Sequence, residues 1–381
     1  MRKFKDYILE VPVLHDVQAA FKNRQLQQYY KSLRDFYISK PSRPFDEVIT
    51  EKIRLYDTTF TYRTDLNILM FYDNSGWLDK HIKPTLNQFG KVDTAFFNDQ
   101  NGYKDREVNA NTLLNYTSSN NYDLIFIGGS RGHISNEVLR KIMYEYKVPI
   151  INFQFDDKQI FNRKVNDYQT GSLEAAYGCT LTFTNAKYSI DWYLKEGCPA
   201  VYLPEGSLPS LYYPDKAVKK DVDVAFFGQK YGLRGKLVKH LHRNNINVVA
   251  YGPGWQNGFV EFEIQRQLIQ RTKIVISHEG VGYSFWPSHI KGKTFDFALS
   301  GACLLTSYSS ELPDWFVLNQ EILCYYNFED AVDIIHYYLS HHDERSTIAH
   351  NAYLKALNYH TWWHRFDMIF KLLDKHCLKL K

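Results

Sequence analysis

Short apolar runs that end at polar or glycine-rich turns recur along the chain from about residue 65. Stretches with helical spacing of apolar residues separate these runs, so strands and helices are predicted to alternate. Strands buried on both faces read as continuous apolar runs, and helical connections make neighbouring strands parallel. The predicted strands of this first series are 66–72, 122–127, 148–153, 181–184 and 200–203. The pattern predicts a doubly wound α/β domain, in which ligands collect beyond the carboxyl ends of the strands.

The pattern starts again after a segment rich in proline and glycine at 203–215 and a charged stretch at 216–223. The strands predicted for this second series are 222–227, 247–251, 274–277 and 303–306. A chain of 381 residues exceeds what one hydrophobic core usually supports. We therefore predict two Rossmann-like domains, at 64–210 and 211–358.

The two ends of the chain lie outside these series. Residues 1–63 are predicted to form a helical N-terminal extension, because 17–37 lacks glycine and proline and carries apolar residues at helical spacing. Such a helix is either an arm packed on the main body or a docking face, and its slight excess of basic residues does not favour docking. The amphipathic C-terminal helix at 359–381 is predicted to cross back over the first domain.

Composition excludes several classes of protein. Hydrophobic residues make up 44% and charged residues 23% of the chain, which excludes global disorder. The net charge of +4 comes without a basic cluster, so no nucleic-acid partner is predicted. Aromatic residues reach 16%, and so many rings must fill cores, interfaces or a pocket that stacks flat ligands.

Cysteine usage and apolar run lengths bear on location. The five cysteines are scattered without a C-x-x-C pair, which indicates reduced thiols and a cytoplasmic protein. The N-terminus lacks the apolar stretch of an export signal, and the longest apolar runs are far too short for a membrane helix. Peripheral membrane contact and the oligomeric state stay open.

Two glycine turns end strands of the second series. Gly228 closes one strand and is followed by Arg234 at the start of a helix, an arrangement that attracts phosphate or is a plain turn with a solvated arginine. The turn at Tyr251 and Gly252 runs on to Trp255, and it either lines a base or sugar pocket or is a structural turn around a buried ring. Walker and G-x-G-x-x-G sequences do not occur, so P-loop and dinucleotide chemistry lose their main support.

The segment 291–307 is the most specific in the chain. It predicts a helix with Lys291, Lys293 and Asp296 near its start, followed by Gly-Ala and a buried strand. Lysines at a helix N-terminus can meet phosphate oxygens, and a carboxylate can accept two hydrogen bonds from ribose hydroxyls.

This segment, together with 313–316, 344–349 and 360–365, resembles the CgeB-like (spore-maturation-protein-like) glycosyltransferases. The resemblance is good over about 180–366, faint over 65–180 and absent over 1–60. It implies the GT-B architecture, in which two Rossmann-like domains face a cleft and the C-terminal domain holds most of the nucleotide-sugar donor.

The resemblance also assigns residues. Asp296 falls where the family has its ribose-binding glutamate, Lys293 replaces the family's arginine, and Arg234 takes a basic position that binds diphosphate. Gly228, Tyr251 and Gly252 fall on the family's glycine turns at the donor.

Two departures from the family affect the predicted chemistry. Asp296 in place of the family's glutamate shortens the reach of the carboxylate by one methylene. Related retaining enzymes carry a first glutamate eight positions before the second, and that position is Ser288 here. Glu279 is the candidate substitute, so the resemblance leaves retention or inversion open.

Acceptor or base roles in the first domain must come from loops at strand ends. Asp73 and His133 are the predicted catalytic candidates, with Asp156 or Asp157 as further ones. Loop-capping aspartates are common, and a structural role is the competing interpretation.

No metal site is predicted, because the histidine pairs at 240–242, 341–342 and 360–364 lack further ligands at suitable spacing. The resemblance implies a GT-B glycosyltransferase of the hexosyltransferase type, which moves a sugar from a nucleotide diphosphate sugar to an unknown acceptor hydroxyl without a cofactor. The alternative is a degenerate GT-B protein that binds nucleotide-sugar or glycan without turnover.

Overall fold

The computed structural model describes residues 12–73, 76–98, 101–129, 132–155, 157–215, 217–280, 285 and 288–378. The chain divides into two compact units. The N-terminal unit comprises the described residues of 29–205 and 362–381, and the C-terminal unit comprises those of 206–361 with the stretch up to Gln28. The breaks at 205/206 and 361/362 lie close to the predicted boundaries at 210/211 and 358/359.

The described residues of the N-terminal unit contain a parallel six-stranded sheet with the order β2-β1-β3-β4-β7-β8, and a short antiparallel hairpin, β5-β6. The strands are β1 (Leu66–Tyr72), β2 (Gly90–Phe96), β3 (Leu124–Gly128), β4 (Ile150–Gln154), β5 (Lys164–Val165), β6 (Tyr168–Gln169), β7 (Leu181–Thr184) and β8 (Ala200–Tyr202). Since all sheet strands run the same way, their carboxyl ends share one edge.

Helices cover this sheet. They are α1 (Pro12–Ile38), α2 (Phe45–Tyr56), α3 (Trp77–His81), α4 (Lys83–Leu86), α5 (Arg106–Ser119), α6 (Asn136–Tyr146), α7 (Asp157–Ile160), α8 (Ser172–Tyr177), α9 (Ile190–Lys195) and, at the end of the chain, α15 (Trp362–Leu378). The second half of α1 is integrated into this unit, because the buried Tyr37 ring stacks on Trp192 with centroids 5.6 Å apart. The α15 helix belongs to the same unit, where Arg365 Nε donates to the Pro204 carbonyl at 2.9 Å.

The C-terminal unit contains, among its described residues, a parallel five-stranded sheet with the order β10-β9-β11-β12-β13. The strands are β9 (Val222–Phe227), β10 (Val248–Tyr251), β11 (Thr272–Ile276), β12 (Cys303–Ser307) and β13 (Leu323–Tyr325). The helices are α10 (Arg234–Arg243), α11 (Phe262–Arg271), α12 (Gly292–Leu299), α13 (Phe328–Ser340) and α14 (His342–Tyr359). The order reverses between β9 and β11, and such a switch point is where ligands bind in open α/β sheets.

The central strands are apolar at nearly every position because both faces of each sheet are buried. In β9, Val224 and Phe226 belong to one buried cluster, whereas Ala225 and Phe227 belong to another. Alternate side chains of a strand point to opposite faces, so each strand supplies two cores. The doubly wound α/β pattern predicted from the sequence is confirmed in both units.

Two edge strands were absent from the prediction, β2 and β13. In β2 the burial is intermittent, and polar Lys91, Asp93 and Thr94 interrupt the apolar pattern. The β13 strand has only three residues. Among the described residues, the β2 strand lacks a strand neighbour on one side, which permits a polar and mostly unburied sequence. The β13 strand is buried at all three positions, so it was missed because it is short. The other two edge strands, β8 and β10, have apolar runs and were predicted.

Candidate functional site

Two glycines end neighbouring strands of the C-terminal unit in conformations that other residues avoid. Gly228 follows β9 with φ 137°, and Gly252 follows β10 with φ 125°. The Gly228 amide donates to the Tyr251 carbonyl at 2.9 Å. A Cβ atom on Gly252 would lie 2.5 Å from the Gly228 carbonyl oxygen, so the two turns can approach this closely only without a side chain at position 252.

The loop after β10 closes on itself. The Gly252 amide donates to the Gly258 carbonyl at 2.7 Å. Trp255 Nε1 donates to the Gly228 carbonyl at 2.7 Å, and its ring packs on Phe226 with centroids 5.5 Å apart. Of the two interpretations of this turn, Trp255 fits the structural one, because its ring anchors the loop to the end of β9.

Replacement of Gly252 by Ala should lower the free energy of unfolding by about 3 kcal/mol, because strain at positive φ adds to the clash with Gly228. The matched control is Gly258→Ala, where φ is 62° and nothing lies within 4 Å of an added Cβ. That control should cost about 1 kcal/mol. Urea unfolding followed by circular dichroism measures both, and equal losses would contradict the expected clash.

A cavity of about 220 Å³ lies beside the two glycine turns. Its lining residues are Phe227, Gly228, Tyr251, Gly252, Pro253, Phe259, Val260, Gln265, Lys293 and Phe297. The rings of Phe227 and Tyr251 are stacked, with centroids 5.5 Å apart and planes 11° apart. The cavity thus combines aromatic surface with one carboxamide and one ammonium group.

Two cations converge on Gly228. Arg234 is buried at the first position of α10, and Lys293 lies in the first turn of α12. A Cβ atom built on Gly228 would lie 3.6 Å from Arg234 Nη1 and 3.7 Å from Lys293 Nζ. Cations beside a glycine turn at the starts of two helices form a place for an anion.

Arg234 is held in position by its surroundings. Its Nη1 atom donates to the Gln229 carbonyl at 3.0 Å, and its guanidinium lies 4.2 Å from the centroid of the Tyr231 ring. Its Nε atom is buried without a hydrogen-bond partner among the described residues. A buried donor of this kind leaves hydrogen-bonding capacity for a bound anion.

Lys293 has an unusual titration range. Its Nζ atom donates to the Phe227 carbonyl at 3.4 Å. Burial, and next the Arg234 guanidinium, lower the pKa of Lys293 to about 7 against the opposing effect of the Glu279 carboxylate. The charge of Lys293 therefore responds to pH near neutrality.

Glu279 follows β11 and is fully buried. Its Oε1 atom accepts hydrogen bonds from three hydroxyls, those of Ser277 at 3.2 Å, Thr294 at 3.2 Å and Thr306 at 3.0 Å. Its Oε2 atom has no hydrogen-bond partner among the described residues. One oxygen is thus fixed by hydroxyls while the other keeps its acceptor capacity.

Asp296 accepts a hydrogen bond from the segment just after the 205/206 break, in the C-terminal unit. Its Oδ1 atom accepts a hydrogen bond from Ser207 Oγ at 2.7 Å. Burial and the adjacent Asp296 carboxylate raise the pKa of Tyr212. Asp296 does not line the cavity that Lys293 lines. Ser288, at the position of the missing glutamate, forms an isolated antiparallel bridge with Gly280.

The candidates of the N-terminal unit occupy separate strand ends. Asp73 follows β1. His133 lies beyond β3, where its ring stacks on Phe97 with centroids 4.6 Å apart. Asp157 is fully buried and accepts hydrogen bonds from hydroxyls of neighbouring elements, and burial raises its pKa. This environment fits a structural role for Asp157. Asp156, the other aspartate that the sequence offered at this strand end, lies outside the described residues.

Four cavity residues were missed by sequence reasoning: Phe259, Val260, Gln265 and Phe297. Phe297 immediately follows Asp296, and the other three lie between β10 and the first turn of α11. For these three, the only signal in the sequence is closeness to the glycine turn after β10.

In the described part of the chain, no group of three or more His, Cys, Asp or Glu residues is placed to hold a metal ion. No described helix has the length and apolar character needed to cross a membrane.

Comparison with protein families places part of this site in a known sequence context. Residues 234–371 match the glycosyl transferase-like family. This stretch begins at Arg234 and includes Glu279, Lys293 and Asp296. No curated protein sequence matches the chain.

Solved structures resemble the fold over most of this chain at low identity. Sucrose-phosphate synthase from Thermosynechococcus elongatus is 9% identical, with a TM-score of 0.59 over 81% of this chain and 99% of that one. HepE from Anabaena, in complex with UDP and glucose, is 13% identical, with a TM-score of 0.57 over 81% of this chain and 100% of that one. An alpha-glucosyltransferase in complex with UDP is 8% identical, with a TM-score of 0.57 over 81% and 100%. The predicted fold class, GT-B with two Rossmann-like units, is confirmed.

Proposed function

We propose that the protein is a CgeB-like glycosyltransferase that transfers a hexose from a UDP-sugar to an acceptor hydroxyl. The observation that carries the proposal is the convergence of Arg234 and Lys293 on Gly228, beside an aromatic cavity at the switch point of the sheet. The diphosphate of a nucleotide-sugar carries two negative charges, which two cations can balance, and aromatic walls can stack on its base. One nucleotide diphosphate would therefore satisfy both parts. The GT-B fold and the UDP found in HepE and in alpha-glucosyltransferase support the choice of donor.

In the proposed reaction the bond between the sugar C1 and the β-phosphate oxygen breaks, and the acceptor oxygen bonds to C1. Negative charge develops on the departing UDP, where Arg234 and Lys293 would stabilise it without a bound metal. The acceptor proton would pass to Asp73 or His133 if the reaction inverts the anomeric centre. NMR of the product anomer distinguishes inversion from retention.

Asp296 is proposed to contact the ribose, as the family resemblance implies. Its carboxylate already accepts the Ser207 hydroxyl hydrogen. The Tyr212 hydroxyl also hydrogen-bonds to this carboxylate, so a ribose hydroxyl would share the carboxylate with these two partners or displace one of them.

The proposal is tested by incubating the protein with UDP-glucose, UDP-galactose, UDP-N-acetylglucosamine and GDP-mannose and measuring nucleotide release by chromatography. Release of UDP from a UDP-sugar, by transfer or by slow hydrolysis, is the expected result. Binding without release, with a panel of glycan acceptors present, would favour the non-catalytic alternative. Neither binding nor release with any donor would overturn the proposal.

Donor affinity should depend on pH through Lys293. The cation is the form that binds diphosphate, and the pKa of about 7 in the free site means that this form is lost as pH rises above neutrality. The Kd for UDP-glucose should be flat below pH 7 and rise by about tenfold per pH unit above it. UDP-glucose suits this calorimetric measurement because its diphosphate diester does not titrate near neutrality.

The matched control for this dependence is Lys293→Arg, which stays charged throughout the range. Its Kd should be nearly independent of pH between 6 and 9. A wild-type Kd that stays constant from pH 6 to 9 would contradict the assigned role of Lys293.

A further inference from the structure

Gln265 brings a carboxamide group to a cavity that is otherwise mostly apolar. It lies in the first turn of α11, and its backbone amide donates to the Glu261 carbonyl at 2.9 Å. The side chain is partly buried, lines the cavity and forms no hydrogen bond among the described residues. A carboxamide offers both a donor and an acceptor, and neither is used within the described structure.

The cavity walls around this carboxamide are flat and apolar. Phe227 and Tyr251 form a stacked pair in the lining. Phe259 also lines the cavity although 71% of its surface is exposed, so its ring is available to a ligand. Aromatic rings of this kind stack on nucleobases with little dependence on the base.

The cation and the carboxamide belong to the same cavity lining. Lys293 carries the charge that suits a phosphate, whereas Gln265 carries no charge and suits a hydrogen-bonding edge. A uracil ring presents one donor, N3–H, between two acceptors, O2 and O4, and a carboxamide is complementary to the pair formed by N3–H and O4.

We infer that this cavity holds the uracil of the donor and that the Gln265 carboxamide determines base specificity by pairing with the uracil edge. The inference rests on the proposed function and deepens it, since it names the part of the donor that the cavity selects. Stacking on the aromatic walls supplies affinity for any base. Gln265 supplies discrimination, because an analogue with a mismatched edge leaves the carboxamide unpaired.

The experiment compares the wild type with Gln265→Leu and Gln265→Glu in calorimetric titrations with UDP, CDP, GDP, ADP and inorganic pyrophosphate. Wild type should prefer UDP. Gln265→Leu should weaken UDP binding about tenfold and reduce the differences among the four nucleotides. Gln265→Glu, which accepts but cannot donate, should lower the affinity ratio of UDP to CDP, because cytosine presents an amino group. Pyrophosphate affinity should stay unchanged in Gln265→Leu.

The matched control is Gln267→Leu, the same substitution at an exposed position of α11. It should bind all four nucleotides as the wild type does. Unchanged UDP affinity and base preference in Gln265→Leu, with normal nucleotide binding by wild type, would overturn this inference alone. Failure of the wild type to bind any of the four nucleotides would overturn the proposed function along with it.

Discussion

Arg234→Ala is expected to lower kcat for UDP-sugar turnover by roughly 10²–10³-fold, the range seen when one preorganised group that stabilises transition-state charge is removed. Arg234 is buried, and its guanidinium lies beside the Gly228 turn with Lys293 as the second cation. The charge on the diphosphate grows as the sugar leaves. A fixed cation therefore stabilises the transition state more than the bound donor.

The steady-state rate of UDP release measures this effect, with donor affinity determined separately by calorimetry. Lys239→Ala is the control, because Lys239 is exposed on the same helix. Arg234→Lys should recover only part of the rate, since an ammonium cannot form the bidentate contact of a guanidinium. A kcat and donor affinity in Arg234→Ala equal to those of wild type would contradict the role of this residue and the proposed function.

The central strands were predictable because burial on both faces leaves a direct trace in the sequence. The β1 strand, Leu66–Tyr72, is buried at six of its seven positions, and its apolar run is continuous except for Asn67. In β2 only Ala95 is buried, and β13 has only three residues, so neither strand gives a long apolar run. Hydrophobic patterning reports burial, and an edge strand gains its order from pairing with a neighbour.

The residues of the candidate anion site have recognisable sequence features. Gly228 and Gly252 stand out because the backbone there requires glycine, and Arg234 and Lys293 follow turns or start helices, which are local features. Gln265 leaves no such trace. Its place in the cavity depends on the closed loop after β10, and no sequence pattern separates it from the exposed Gln267 two positions later.

Contacts between residues far apart in the chain also determine the hydrogen-bond partners of the carboxylates. Asp296 accepts a hydrogen bond from Ser207, which lies 89 positions away in the chain. The three hydroxyl partners of Glu279 come from the end of β11, from α12 and from β12. A single sequence gives residue types near each strand end, but it does not show which hydroxyls fold onto which carboxylate.

Glu279→Gln is expected to lower kcat by about a hundredfold while the protein stays folded. Glutamine retains an oxygen that can accept the hydroxyls of Thr294 and Thr306, so the packing around Oε1 should survive. The substitution removes the negative charge of Glu279, and that charge raises the pKa of Lys293. Without this charge, Lys293 should lose its proton at lower pH.

The pH profile of donor affinity separates this electrostatic role from a purely structural one. In Glu279→Gln the rise in the Kd for UDP-glucose should begin below pH 7, whereas wild type stays flat up to about that pH. Glu321→Gln removes the same charge from a glutamate outside the site, whose Oε2 accepts from the Val317 amide at 2.7 Å, and it should leave the profile unchanged. If Glu279→Gln kept both the wild-type kcat and the wild-type profile, Glu279 would act only as the acceptor that organises three hydroxyls. Loss of kcat with an unshifted profile would instead assign the catalytic effect to the Oε2 atom and its charge at the substrate.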